Sequence, residues 1–330
     1  MGVCWSTLAS AFSNEHRPEK YGPATSSPPP QLFGDGAGSE SFYRSSDGRL
    51  WLHMRAWEPQ DKSKTWATLL ICHGTVDHSG VYHELAEKLC EKGIAVFAAD
   101  LRGWGRSDGQ PLHVASLDVL AEDVVHDYWR LHGTGAPYAH VRSRFLLGKS
   151  IGGLITAWAA CKHPDLWTGL IGLSGAYDIS PAMRPRPVAV LLLKAIWSFL
   201  PKCRVRRPFD PKLIVSDSEA LRRWEQDPLV SRGKLSAGYL VQLLRGVDAL
   251  PAMVPRLTCA LLMLWGTGDK VVSESGHEMM IQDSKSTSKV FNRYPDGRHN
   301  LLAEPKLKEQ VMQDILNFIT SHAHAHASSA

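Results

Sequence analysis

A serine with a glycine two residues away on each side, Gly148-Lys149-Ser150-Ile151-Gly152, is the stretch of this 330-residue chain best suited to covalent chemistry. An apolar run at 145–147 precedes it, and residues 154–160 read as the helix that follows. A serine at such a strand-to-helix turn forms a nucleophile elbow, with its hydroxyl exposed at the tip. Glycine is needed at the flanking positions because a side chain there would strike the strand or the helix. A hydroxyl is a poor nucleophile until a base takes its proton, and the base needs a carboxylate to orient it.

With this elbow the acid and then the base follow the serine in chain order, on loops after later strands. Of the 15 histidines, His299 stands where the base belongs, after the last strand and before the last helix, in Tyr294-Pro295-Asp296-Gly297-Arg298-His299-Asn300. His277 falls within a helix and His322 onward in the tail. For the acid, Asp269 closes a Gly266-Thr267-Gly268 turn just past a buried run at 261–265; Glu274, Asp283 and Asp296 are weaker rivals. A helix N-cap is the plain alternative role for Asp269.

An oxyanion hole needs two backbone N–H groups aimed at the developing charge. Ile151, after the serine, supplies one. The loop His73-Gly74-Thr75, after a strand ending at Cys72, supplies the other through Thr75. His73 precedes the serine and reads as support for that loop. The glycines of Gly103-Trp104-Gly105 lack the third glycine of a dinucleotide fingerprint, since Asp108 stands there, so this segment reads as a structural loop.

The elements that must position these residues alternate. After two short strand-like pieces at 42–44 and 50–57 come strands at 68–72, 95–99, 145–147, 170–173, 261–265 and 290–294. Helices fall at 82–92, 114–131, 273–283 and 306–321. Short apolar strands alternating with helices imply an α/β fold with a mostly parallel central sheet flanked by helices. Residues 177–255 show helix patterns near 188–200 and 235–245 but no convincing strand, so they read as a helical cap inserted before the last strands. The expected organisation is a disordered, acylated tether at 1–40, a core at 41–176 and 256–321, the cap at 177–255 and a disordered tail at 322–330.

Hydrophobic residues make up 44% and charged residues 21%, the balance of a globular protein, and the net charge of +4 is too small to point to nucleic acid. The six cysteines are scattered and mostly lie in apolar runs, which suits reduced thiols in a cytosolic setting. The longest apolar stretch, at 188–200, is too short to span a bilayer. Met1-Gly2-Val3-Cys4-Trp5-Ser6 fits the N-myristoylation pattern at Gly2, with Cys4 placed for palmitoylation, so the expected location is the cytoplasmic face of a membrane.

His73-Gly74, Asp77-His78-Ser79-Gly80, the Asp100 loop, the elbow, Asp227-Pro228-Leu229 and the Asp269 and His299 segments together resemble monoacylglycerol lipases and the lysophospholipase-like α/β-hydrolases, over about residues 41–321. The resemblance implies an α/β-hydrolase fold and a serine esterase that cleaves single-chain lipid esters beneath a membrane-facing cap, with no metal or organic cofactor. It places the nucleophile at Ser150, the acid at Asp269, the base at His299, the oxyanion donors at Thr75 and Ile151, and the substrate pocket at Asp77, Val81, Trp224 and Leu302. The chain departs from the family at Lys149, where the elbow usually has histidine. It departs again at Val81 and Leu302, where an arginine and a histidine usually meet the glycerol hydroxyls, so discrimination on the alcohol side should be looser. A thioesterase or general carboxylesterase would use the same three residues. A silent binding protein is disfavoured because all three positions are filled.

Overall fold

The computed structural model describes residues 38–206 and 210–327. The tether positions Gly2 and Cys4 lie outside the described residues. Eight strands form one sheet in the order β1-β2-β4-β3-β5-β6-β9-β10. Strands β1 (Ser39–Arg44) and β2 (Trp51–Trp57) form an antiparallel hairpin, and β2 runs antiparallel to β4 (Ile94–Ala99). From β4 onward, β3 (Ala67–Cys72), β5 (Ser143–Lys149), β6 (Gly169–Leu173), β9 (Ala260–Gly266) and β10 (Lys289–Tyr294) are all parallel.

Helices α1 (His83–Cys90), α2 (Leu117–His132), α3 (Ile151–Lys162), α7 (Glu274–Asp283) and α8 (Lys308–Ala327) link or flank these strands. The sheet is covered on both faces, which is why β3 and β9 are buried at every position. Successive side chains of a strand face opposite ways. Thus Leu70 and Leu146 pack with Val124 and Leu154 on one face, while Leu69 and Leu147 pack with Leu85 and Ile315 on the other. The described cysteines Cys72, Cys90, Cys161, Cys203 and Cys259 are free thiols.

The chain passes from β3 to β4 on one side and then returns to β5 on the other. In open α/β sheets, ligands bind in the crevice at the carboxyl ends of strands where the winding reverses. Here that crevice lies between β3 and β5, whose following loops carry Thr75 and Ser150.

Between β6 and β9 lie α4 (Pro187–Phe199), α5 (Ser218–Gln226) and α6 (Ala237–Met253), with a two-stranded ribbon of β7 (Arg204–Arg206) and β8 (Leu235–Ser236). Leu193 of α4 packs on Ala237, Val241 and Leu244 of α6. Several details differ from the sequence reading. The cap contains the short ribbon and the helix α5. Strand β1 begins at Ser39, inside the span assigned to the tether, because pairing with β2 uses backbone groups and not apolar side chains. Helix α8 runs on to Ala327, past the tail boundary set at 322. His322 is tied down there, with Nδ1 at 2.8 Å from the Phe318 carbonyl oxygen and Nε2 at 2.7 Å from Ser288 Oγ.

Candidate active site

The turn from β5 into α3 holds Ser150 at φ 55°, a left-handed conformation that costs a non-glycine residue energy. Its glycines leave no room for side chains. A methyl group at Gly148 would stand 2.4 Å from the Gly152 carbonyl oxygen, and one at Gly152 would stand 2.1 Å from that of Cys72. The strained turn lifts the serine above the end of the sheet.

Three loops converge on it. His299, after β10, places Nε2 at 3.0 Å from Ser150 Oγ. Its Nδ1 lies 2.8 Å from Asp269 Oδ2, on the loop after β9. The other oxygen of Asp269 accepts from the N–H groups of Val271 and Val272 at 2.7 and 3.1 Å. Burial alone would raise the Asp269 carboxyl, but the adjacent His299 and these hydrogen bonds hold it below the usual range. All three side chains are buried. The structure therefore brings Ser150, His299 and Asp269 into one hydrogen-bonded line. The rivals are elsewhere: Glu274 pairs with Arg293, His277 hydrogen-bonds to the Ser273 carbonyl, and Asp296 is exposed.

Thr75 and Ile151 border the same apolar slot as Ser150. Among the described residues neither N–H group is engaged in a hydrogen bond. The Thr75 loop is held by its carbonyls. His73 Nδ1 donates to the Gly74 oxygen at 2.8 Å, Trp104 Nε1 to that of Thr75 at 2.5 Å, and Trp224 Nε1 to that of Val76 at 2.9 Å. The other nitrogen of His73 accepts from the Leu101 N–H at 3.0 Å, and burial keeps its ring neutral. Asp100 supports the loop from beneath. Its Oδ1 accepts from the Ser79 N–H at 2.6 Å, and its Oδ2 meets His53 Nδ1 at 2.8 Å. Asp227 of the cap reaches the same loop through His78, at 2.9 Å.

Ser150 borders one cavity, and its neighbour Lys149 borders a second. The first is a narrow apolar slot of about 50 Å³, lined by Ile179, Met183, Tyr239, Leu240, Leu243 and Val272. The second is larger, about 500 Å³, with charged groups in a mixed lining that includes Asp77, Val81, Trp224 and Leu302. The four pocket positions thus share one wall, although Trp224 also serves the oxyanion loop. Sequence reasoning did not anticipate that Lys149 is buried there with its Nζ at 2.9 Å from Asp77 Oδ2. Opposite charges next to two site residues were the available signal.

Comparison with known proteins fits this geometry. The chain is 29% identical over 272 residues to a monoglyceride lipase homolog of monkeypox virus, covering 82% of this chain and 94% of that one. It is likewise 29% identical over 289 residues to the human monoglyceride lipase, covering 87% and 91%. A soluble variant of the Saccharomyces cerevisiae monoglyceride lipase, solved with a substrate analog, superimposes with a TM-score of 0.75 at 20% identity, over 90% of this chain and 99% of that one. The shared architecture is the α/β-hydrolase fold. Residues 63–306, well over half the chain, match the Hydrolase_4 family, described as serine aminopeptidase S33, and to that family the chain belongs.

Proposed function

We propose that this chain is a serine carboxylic-ester hydrolase acting on monoacylglycerol through an acyl-Ser150 intermediate. The observation that carries the reading is the continuous line from Ser150 Oγ through His299 to Asp269, set beside an apolar slot and two unengaged N–H groups. Its relatives named as monoglyceride lipases support the choice of substrate.

In the forward step Ser150 Oγ attacks the ester carbonyl while His299 Nε2 takes its proton. The carbonyl oxygen becomes an oxyanion facing the Thr75 and Ile151 N–H groups, and Asp269 stabilises the imidazolium through Nδ1. His299 then gives the proton to the departing alcohol. Water, activated by the same histidine, releases the fatty acid and restores the serine. The acyl chain occupies the apolar slot. Because the slot is narrow, about 50 Å³, and cap residues such as Ile179, Met183 and Leu240 line it, loading it requires the cap to shift.

The proposed site of action is the cytoplasmic face of a membrane, held through acylation of Gly2 and Cys4 and through the cap. Labelling with a fluorophosphonate probe tests the chemistry, and hydrolysis rates across monoacylglycerols, lysophospholipids and acyl thioesters test the substrate. Ser150→Ala should abolish labelling and hydrolysis while leaving thermal unfolding unchanged. Residual turnover above about 10⁻³ of wild type would mean another nucleophile.

A further inference from the structure

The three catalytic side chains and the two N–H donors leave one pair of buried charges beside the reacting centre without a task. Lys149 and Asp77 are each 4% exposed, with Nζ and Oδ2 2.9 Å apart. Stability is a weak reason for such a pair, because desolvating two charges cancels much of their attraction and an apolar pair of similar shape often does as well. Its position is more informative. A methyl group at Gly74 would lie 2.9 Å from Asp77 Oδ2 and 3.2 Å from Ser150 Cβ, so carboxylate and serine flank one glycine. Burial alone would raise the Asp77 carboxyl, but the Lys149 ammonium overrides it and keeps the group ionised.

An ammonium has three N–H donors, and a carboxylate has about four acceptor sites. Among the described residues nothing else takes up the remaining N–H groups of Lys149 or the Oδ1 atom of Asp77. Both residues line the larger cavity, and neither lines the apolar slot. With the acyl chain in the slot, the space left for the alcohol is this second cavity, which reaches Ser150 through its neighbour Lys149 and through Asp77 across Gly74. On the cavity wall, Val81 and Leu302 offer no hydrogen-bonding side chains.

Building on the esterase reading, we propose that Lys149, seated on Asp77, is the specificity-determining residue for the leaving alcohol. The pair donates to one hydroxyl oxygen and accepts from a neighbouring hydroxyl, so this chain selects acyl esters of neutral polyols. An anionic head group is opposed. A phosphate would face Asp77, and Glu84, Asp217 and Asp227 line the same cavity. Besides Lys149, its cations Lys308 and Arg223 pair with Glu84 and Glu219. The cavity, about 500 Å³, also has room for polyols bulkier than glycerol.

The test compares kcat/KM for the glyceryl, methyl and glycerophosphoryl esters of one fatty acid. The proteins compared are the wild type, Lys149→Met, Lys149→Arg and Lys149→Met/Asp77→Asn. The glyceryl-to-methyl ratio should fall about tenfold in Lys149→Met and in the double variant, since a hydrogen bond from a charged group is lost, and Lys149→Arg should retain part of it. The double variant leaves no lone charge buried and decides the matter if Lys149→Met fails to fold. A merely structural role would lower both rates together. An unchanged ratio, or a wild type that prefers the glycerophosphoryl ester, overturns this inference alone. A wild type that hydrolyses none of the three overturns the esterase reading and this inference with it.

Discussion

Trp224, on a cap helix, donates its indole N–H to the carbonyl oxygen of Val76 in the loop that carries Thr75, the proposed oxyanion donor. Trp224 also packs with Val76, Ile214 and Val230 in a small apolar cluster. The cap thus holds the loop in place as well as covering the site. Together with the Trp104 bond to Thr75, this grip holds the two peptide units that follow Thr75, while His73 holds the Gly74 oxygen in the unit that carries the Thr75 N–H.

Trp224→Phe keeps the ring but removes the donor. The expected result is a fall in kcat of about tenfold, less than for direct loss of an oxyanion donor, with KM little changed. Steady-state kinetics on an activated ester check it. Unchanged kcat would mean that the loop holds its shape without the cap.

The choice of acid is equally exposed to test. Asp269→Asn should leave the histidine in the wrong tautomer and lower kcat by about 10⁴-fold. Asp296→Asn, at an exposed position, should stay within about twofold of wild type. The reverse pattern would transfer the acid's role to Asp296.

These assignments were readable in the chain because their signals are local. Gly148 and Gly152 are required by contacts within a few residues or with the adjacent strand end, and the runs in β3 and β9 are apolar at nearly every position. Helix α5 escaped because it is short and its apolar face is only Ala220, Leu221 and Trp224 among charged residues, with none of Ser218–Gln226 fully buried. Strands β7 and β8, at three and two residues, are too short to show alternation. The Trp224–Val76 and Lys149–Asp77 contacts join positions far apart in sequence, and nothing in the spacing of one partner specifies the other.

Asp127 on α2 supplies a prediction about pH. It is buried, and its Oδ1 lacks a hydrogen bond and lies 3.8 Å from Arg130 Nη1. Burial pushes its carboxyl up from 3.8 to about 7, with nearby Asp123 adding to the rise and Arg130 opposing it. A carboxyl raised in the folded state binds its proton there while the unfolded chain has released it. Stability is therefore highest below the unfolded value and is lost as pH rises from 3.8 towards 7. Asp127→Asn should remove this loss. The stability difference between wild type and variant should change across pH 5 to 7 with a slope approaching ~1.4 kcal/mol per unit, and level off above. Urea unfolding at each pH measures it, and parallel profiles for the two proteins would reject the assignment.

The last prediction concerns the membrane. Helix α4 presents Leu191, Leu192 and Phe199 to solvent, 69%, 61% and 73% exposed, beside Val188. Positions 188, 191, 192 and 199 follow helical spacing, so they form one apolar face, and such a patch on a cap marks a docking surface. Burying a leucine or phenylalanine fully contributes roughly 1.5–3 kcal/mol, and partial insertion less, so three of them together contribute a few kcal/mol. A single myristoyl chain binds with a constant of only about 10⁴ M⁻¹. The two contributions should therefore add, neither sufficing alone for slow release. Protein lacking any acyl chain should still sediment with phospholipid vesicles, and Leu191→Ser/Leu192→Ser/Phe199→Ser should lower its partition about tenfold or more. In cells, Gly2→Ala should move the protein to the soluble fraction, and Cys4→Ser should weaken retention while the intact mass still carries myristate. Vesicle binding unaffected by the triple change would remove the cap from the membrane. An unmodified Gly2, or a Gly2→Ala protein that pellets as fully as wild type, would remove the acyl anchor.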